Sequence, residues 1–405
     1  MTKHGYRKFL IIVLLIGTIV GGSVSVWNIR HNIEKQEVST GRLSEEMLIP
    51  GGMPIGIYLE TDGVLVLGTE NMEGLDGLFY EPAEYLVKEG DYIVGFNHKE
   101  VTSKRELIEE VENLDAKEVV LTIRRNEEEM DVKINPVEVQ ADEYKLGIWV
   151  RDNAQGLGTM TYLDTNSEFG ALGHGIHDVD TDKLLEISEG KLYKTSIRSV
   201  QKGKVGTPGG LEGLIVYNDY NILGEITKNT EVGIFGRVDN IPALFENQEP
   251  VEICKKEDIK PGKATIRCTV DGTLKEYEVE IIRVELYNRD VNKGIVLKVT
   301  DKKLLELTGG IVQGMSGSPI LQDGKIVGEV THVFVNDPTS GYGIFIENMM
   351  EQLQNTSRKM MESVEILRRL FIAPENVELY NIFVVASMVR VPGNKNGTIK
   401  CGYCR

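Results

Sequence analysis

A mainly β protein is what the sequence predicts, and three observations carry that expectation. From about residue 137 to 353 the apolar residues fall in short alternating runs with glycines between them, the pattern of a barrel or a sandwich. The chain is long, 405 residues with 41% hydrophobic, which is material for two or three domains that each bury a core. Helical spacing of apolar residues stands outside that stretch, at 103–113 and 357–371.

Taken in order, the chain opens with a candidate membrane anchor. Lys3, Arg7 and Lys8 precede an uncharged run at 9–27. At about 1.5 Å per residue a helix over that run is long enough for ~30 Å of hydrocarbon. The flanking positive charge keeps the N-terminal end in the cytoplasm and sends the rest outside. Residues 1–28 are therefore expected to be a cytoplasmic end and an uncleaved transmembrane anchor, since the apolar core of a cleaved signal is usually shorter. Residues 29–46 are polar, mixed in charge and without apolar period, and read as a linker. An oxidising exterior would allow a pair such as Cys254 and Cys268 to bond, but four cysteines are too few for a disulfide scaffold.

Between 47 and 138 strand-like runs at 54–59 and 63–68 are followed by Glu89-Gly-Asp-Tyr-Ile93, a turn at Asn97, a helix over 103–113 and strands over 119–125 and 129–134. Ser103 with Glu106 forms a capping box for the helix. This order resembles a PDZ domain, a fold that binds peptide termini by adding a strand to a sheet edge. By that resemblance Ile55, Gly56 and Ile57 are the expected carboxylate-binding loop and edge, although Ala83-Glu-Tyr85-Leu departs from the family's usual Ala-Gly step.

Residues 139–354 form the next expected domain, built of the short strands. Its acidic run Asp178, Asp180, Asp182 lacks the glycine and terminal glutamate of a calcium loop and reads as a solvated loop. No metal or cofactor is expected. A formal net charge of −17 argues against nucleic acid, whose phosphates it would repel. Beyond it, 355–405 is a tail to which no chemistry is assigned, and Cys401 and Cys404 lack the second pair of a metal site.

The chemistry concentrates at 308–320, Thr-Gly-Gly-Ile-Val-Gln-Gly-Met-Ser-Gly-Ser-Pro-Ile. Ser316 sits between Gly314 and Gly317, so its hydroxyl can project from a tight turn beside unhindered N–H groups, as acyl transfer requires. The residues also suit a plain turn between strands. A serine needs a base. Of the six histidines, His332 lies in an alternating strand where a structural role is the default. His174, bracketed by Gly173 and Gly175, is the accessible candidate, with His177 as the alternative.

The order Gly-x-Ser-Gly-Ser-Pro resembles the nucleophile loop of chymotrypsin-like peptidases, and Phe169-Gly-Ala-Leu-Gly-His174 with the 308–320 segment resembles the SpoIVB family of sporulation serine peptidases. That resemblance implies a chymotrypsin-like double β-barrel with Ser316 as nucleophile, His174 as base, and the N–H groups of Gly314 and Ser316 as the oxyanion hole. It ranks Asp301 first, ahead of Asp178 and Asp180, as the group orienting His174. It further implies an extracytoplasmic signalling protease in the space between forespore and mother-cell membranes. There it would cleave a membrane-embedded inhibitory complex, so activating sigma-factor processing, and would cleave itself. The alternative is a non-catalytic PDZ adaptor that binds extracytoplasmic peptide termini.

Overall fold

The computed structural model describes residues 47–351, apart from 115–116 and 246–247. The expected anchor, linker and tail lie outside the described residues, and among the described residues no helix is long and apolar enough to cross a membrane.

Two six-stranded rings dominate. The second is contiguous in sequence: Gly262–Thr269, Leu274–Val284, Ile295–Val299, Asp337–Phe345, Lys325–Phe334 and Pro319–Gln322 pair in turn and close back onto Gly262–Thr269. Period-2 alternation builds it. In Gly262–Thr269 the side chains of Ala264, Ile266 and Cys268 turn inward, and they meet Val279, Ile281, Leu297, Ile320 and Val330 in one core.

In the first ring Pro54–Thr69 pairs with Ile148–Leu163, then Glu168–Ala171, Gly233–Val238, Ile222–Thr230 and Ile187–Gln201 follow, and the last returns to Pro54–Thr69. Ile55, Ile57, Leu59, Met160, Phe169, Leu192 and Ile234 fill it. Along Pro54–Thr69 the inward residues Ile55, Ile57 and Leu59 sit two positions apart, as a barrel requires.

This ring corrects the expected domain boundary. Pro54–Thr69 and Ile148–Leu163 are each 16 residues long, and each runs through two cores. Their outer ends pair as Thr69 with Ile148, and their inner ends as Thr159 with Pro54. Register shifts at Arg151/Asn153 and a positive φ of 97° at Gly63 mark the passage between the two. Beyond it lies an inserted module with its own core of Val64, Val66, Ile93, Phe96, Leu107, Leu121, Ile123 and Ile134. The module therefore begins near Val64, and residues 47–62 belong to the first barrel.

The expected peptide-binding loop falls with that boundary. Ile55 and Ile57 are 0% and 2% exposed in the barrel core, and Gly56 is flanked on both sides, by Leu157 and by Tyr193. A strand paired on both edges has no N–H row left to receive a peptide terminus. Within the module the helix Lys104–Glu112 forms as the capping box predicts. Ser103 Oγ accepts from Glu106 N at 3.3 Å, while the Glu106 carboxylate reaches back to Thr102 N at 2.9 Å.

Cys254 and Cys268 are free thiols. Cys268 is buried in the second core, where burial pushes its thiol pKa up and leaves it inert.

Candidate active site

The serine turn is fastened to both barrels. Gly314 and Gly317 have φ of 93° and 95°, conformations that favour glycine, and they let the chain reverse on either side of Ser316. Met315 N donates to Val312 O at 3.1 Å and Ser318 N to Met315 O at 2.9 Å, which closes the turn. On the second-barrel side Gly317 N donates to Val330 O at 2.8 Å. From the first barrel Thr159 N donates to Ser316 O at 3.1 Å and Thr159 Oγ1 to Gly314 O at 2.7 Å. The N–H groups of Gly314 and Ser316 have no backbone partner among the described residues.

His174 comes from the other barrel. It follows Glu168–Ala171 after two left-handed residues, Leu172 and Gly173, whose φ values of 74° and 68° swing the chain out of the strand. Its Nδ1 lies 2.9 Å from Gly175 O. With the ring proton on Nδ1 toward that carbonyl, Nε2 is the free acceptor. Burial lowers the His174 pKa, partly offset by the Gly175 carbonyl and reinforced by His177, so the imidazole is neutral at pH 7.

The two loops meet at one strand. Ser316 Oγ donates to Thr331 O at 2.7 Å rather than to an imidazole. A Cβ at position 173 would stand 2.8 Å from Thr331 Cγ2. The ring of His332, next along, lies 5.2 Å from that of His174 at 40°. Sequence reasoning set His332 aside as a strand residue. The structure places it on the open side of the pair, more than a third exposed, with its pKa held below the ordinary value by lost hydration and by His174. His177 Nδ1 lies 3.3 Å from the same Gly175 O, and its Nε2 is 3.4 Å from Glu231 Oε2.

None of the three candidate aspartates reaches His174. Asp301 is the N-cap of the helix Lys302–Thr308: its Oδ1 accepts from Lys303 N at 2.8 Å and Leu304 N at 2.9 Å, and its Oδ2 from Glu278 N at 3.4 Å. A carboxylate committed to backbone donors at a helix start is placed by that helix. Asp178 is only 3% exposed and pairs with Arg151, which also holds Asp180 at 2.7 Å. Asp178 thus anchors the acidic run, while Asp180 and Asp182 are exposed to solvent as expected of that loop. Among the described residues no group of three or more His, Cys, Asp or Glu side chains is placed to hold a metal ion.

A long hairpin, Ile187–Gln201 with Gly210–Ile215, carries first-barrel chain onto the serine segment. Gly203 N donates to Thr308 O at 2.9 Å, Gln313 N to Gly209 O at 2.9 Å, and Leu211 N to Gln313 O at 2.8 Å. Leu211 also covers Gly314, whose Cβ would stand 3.1 Å from it. Nothing local to residues 207–211 distinguishes this strap from an ordinary turn.

Three solved structures show partial likeness. The PDZ domain of an SdrC-like protein from Listeria monocytogenes is 20% identical, covering 22% of this chain and 87% of that one, with a TM-score of 0.18. The active form of the Rv3671c protease from M. tuberculosis is 13% identical over 50% of this chain and 74% of that one, TM-score 0.29. The HtrA-type protease AlgW with decapeptide is 11% identical over 50% and 53%, TM-score 0.29. No curated protein matches the chain. The model of the SpoIVB peptidase S55 family matches residues 142–350, more than half of the 405-residue chain and both of the loops that carry His174 and Ser316. The protein belongs to the SpoIVB peptidase S55 family and is a serine endopeptidase.

Proposed function

We propose that Ser316 Oγ attacks the peptide carbonyl while His174 Nε2 takes its proton, and that the N–H groups of Gly314 and Ser316 hold the oxyanion. An acyl-enzyme forms, His174 returns the proton to the leaving amine, and water completes hydrolysis by the same route. The observation that supports this reading is that both loops reach one strand: Ser316 Oγ bonds to Thr331 O, Gly173 packs against Thr331, and the half-buried, neutral ring of His174 lies beside His332, with the Gly314 and Ser316 N–H groups free of backbone partners among the described residues. Loss of one such donor typically costs about 10²–10³ in rate.

In the cell this peptidase acts as a membrane-anchored, extracytoplasmic signalling protease of spore formation. It cleaves a membrane-embedded inhibitory complex and itself, and so activates sigma-factor processing. Family membership supports this role, and the anchor reading of 1–28 supports the topology. The inserted module recruits peptide termini. In place of Ile55–Ile57 its cleft is the 380 Å³ groove between the helix Lys104–Glu112 and residues 143–148, floored by Leu107, Ile108, Val111, Met72 and Leu146. Such a groove beside a helix suits an extended segment with apolar side chains.

A non-catalytic adaptor is the rival, favoured by the bond from Ser316 Oγ to Thr331 O in place of one to His174. A covalent fluorophosphonate probe on the full-length protein decides between them. Labelling that vanishes in Ser316→Ala is expected; a folded protein that never labels is an adaptor.

A further inference from the structure

Glu329 lies in the middle of Lys325–Phe334, two residues before Thr331, and points inward. It is 0% exposed, and neither carboxylate oxygen has a hydrogen-bond partner. Such a group is costly. Burying a polar group without its bonds costs several kcal/mol, and an apolar residue of similar volume would be more stable there. Full burial raises its pKa well above the ordinary carboxylate range.

Its surroundings are the junction between the barrels. A Cβ at Gly173 would stand 2.3 Å from Glu329 Oε1, so the carboxyl occupies the space that a side chain before His174 would need. Tyr162, from the first barrel, is also buried with an unpartnered hydroxyl, and after burial Glu329 is the largest influence on its phenol. Ser318, two residues past Ser316, has a buried and unpartnered Oγ as well. Unsatisfied polar atoms therefore gather on both sides of the junction that sets the distance from His174 to Ser316, where none of the aspartates reaches.

We propose that Glu329 is the positioning residue of the catalytic pair: from the second barrel its carboxyl seats the Gly173–His174 turn and fixes the imidazole against the barrel that carries Ser316. The inference rests on the reading of Ser316 and His174 given above. It explains why position 173 is a glycine, and why a costly carboxyl stands where the strand otherwise buries apolar side chains. Misplacing a reacting group by about 1 Å can cost 10²-fold in rate, so a group that seats the base needs no contact with substrate.

Fluorophosphonate labelling of the full-length protein, followed over probe concentration, separates the inactivation rate from probe affinity. Glu329→Met keeps the volume, removes the polar atoms and relieves the burial cost. It is expected to melt at or above the wild-type temperature, yet to lose about 10²-fold in inactivation rate with affinity unchanged. Glu329→Gln keeps the shape and the polar end of the side chain and is expected to stay within about tenfold of wild type. Wild-type labelling in Glu329→Met, a loss that appears in affinity alone, or a Gln variant as slow as the Met variant would each overturn the proposal. A wild-type protein that does not label at Ser316 would instead overturn the assignment of the nucleophile.

Discussion

The two barrels use the same local grammar and differ in how far apart their partners lie in the chain. In the second, four of the six pairings join strands consecutive in the chain, and the ring is complete between Gly262 and Phe345. In the first, Pro54–Thr69 must find Ile148–Leu163 across an entire inserted module and Ile187–Gln201 farther still. Closing a longer loop costs only slightly more entropy, so the remote arrangement is affordable once the module folds on its own core. The contrast shows that one functional site can be shared between a barrel assembled from neighbours and a barrel assembled around a guest. The contacts between Thr159 and the serine turn are where they meet.

Gly317→Ala attacks that meeting point directly. A Cβ there would lie 2.0 Å from Thr159 O, and φ is already 95°. The serine turn should shift away from the first barrel and labelling should fall by at least about 10²-fold, measured as the rate of probe incorporation. Undiminished labelling would mean that the barrels hold the pair without this contact.

Leu107→Ala tests the independence of the guest. Leu107 is buried in the module core, and truncating it should cost about 2–5 kcal/mol of that core's stability. Hydrogen exchange should rise across 64–134 while Ser316 labelling stays near wild type. A parallel loss of labelling would make the module part of the catalytic architecture.

The membership of Pro54–Thr69 is open to a milder test through Gly56→Val. A Cβ at Gly56 would meet Ile215 side-chain atoms at 2.9 Å, flexible enough to yield at a cost of about 1–3 kcal/mol. The expected readout is a lower melting temperature of the barrel with peptide binding by the module retained. Lost peptide binding at an unchanged melting temperature would return Ile55–Ile57 to the module.

The smallest effect concerns pH. His174 works as a base only when neutral, and burial lowers its folded-state pKa below the ordinary 6.5. Labelling should therefore stay level as pH falls through 6.5 and decline only below it. Because the unfolded chain takes up the proton first, folding stability should already be decreasing from about pH 6.5 downward. A labelling midpoint above 6.5 would show that a carboxylate faces the ring in the working enzyme.

Much was legible locally. Ser103 with Glu106 announced the helix, alternation announced that the stretch beyond 137 is built of short strands, and the glycines around Ser316 and His174 announced two special turns. These features depend on residues within a few positions of one another, so a single sequence carries them. Which edge Pro54–Thr69 pairs with, and whether Asp301 or another acid stands near His174, depend on segments far apart in the chain. Alternation says that a strand has a buried face but not whose core it faces, so residues 54–57 read as well for a peptide-binding edge as for a barrel wall. Glu329 is a related case. Residues 326–331 are all buried, so alternation gives no face for Glu329, and only the packed junction of two barrels brought its carboxyl against the glycine that precedes His174. The turns belong to local backbone sterics, and the site belongs to the tertiary structure, because Ser316 and His174 are joined by no element that contains them both.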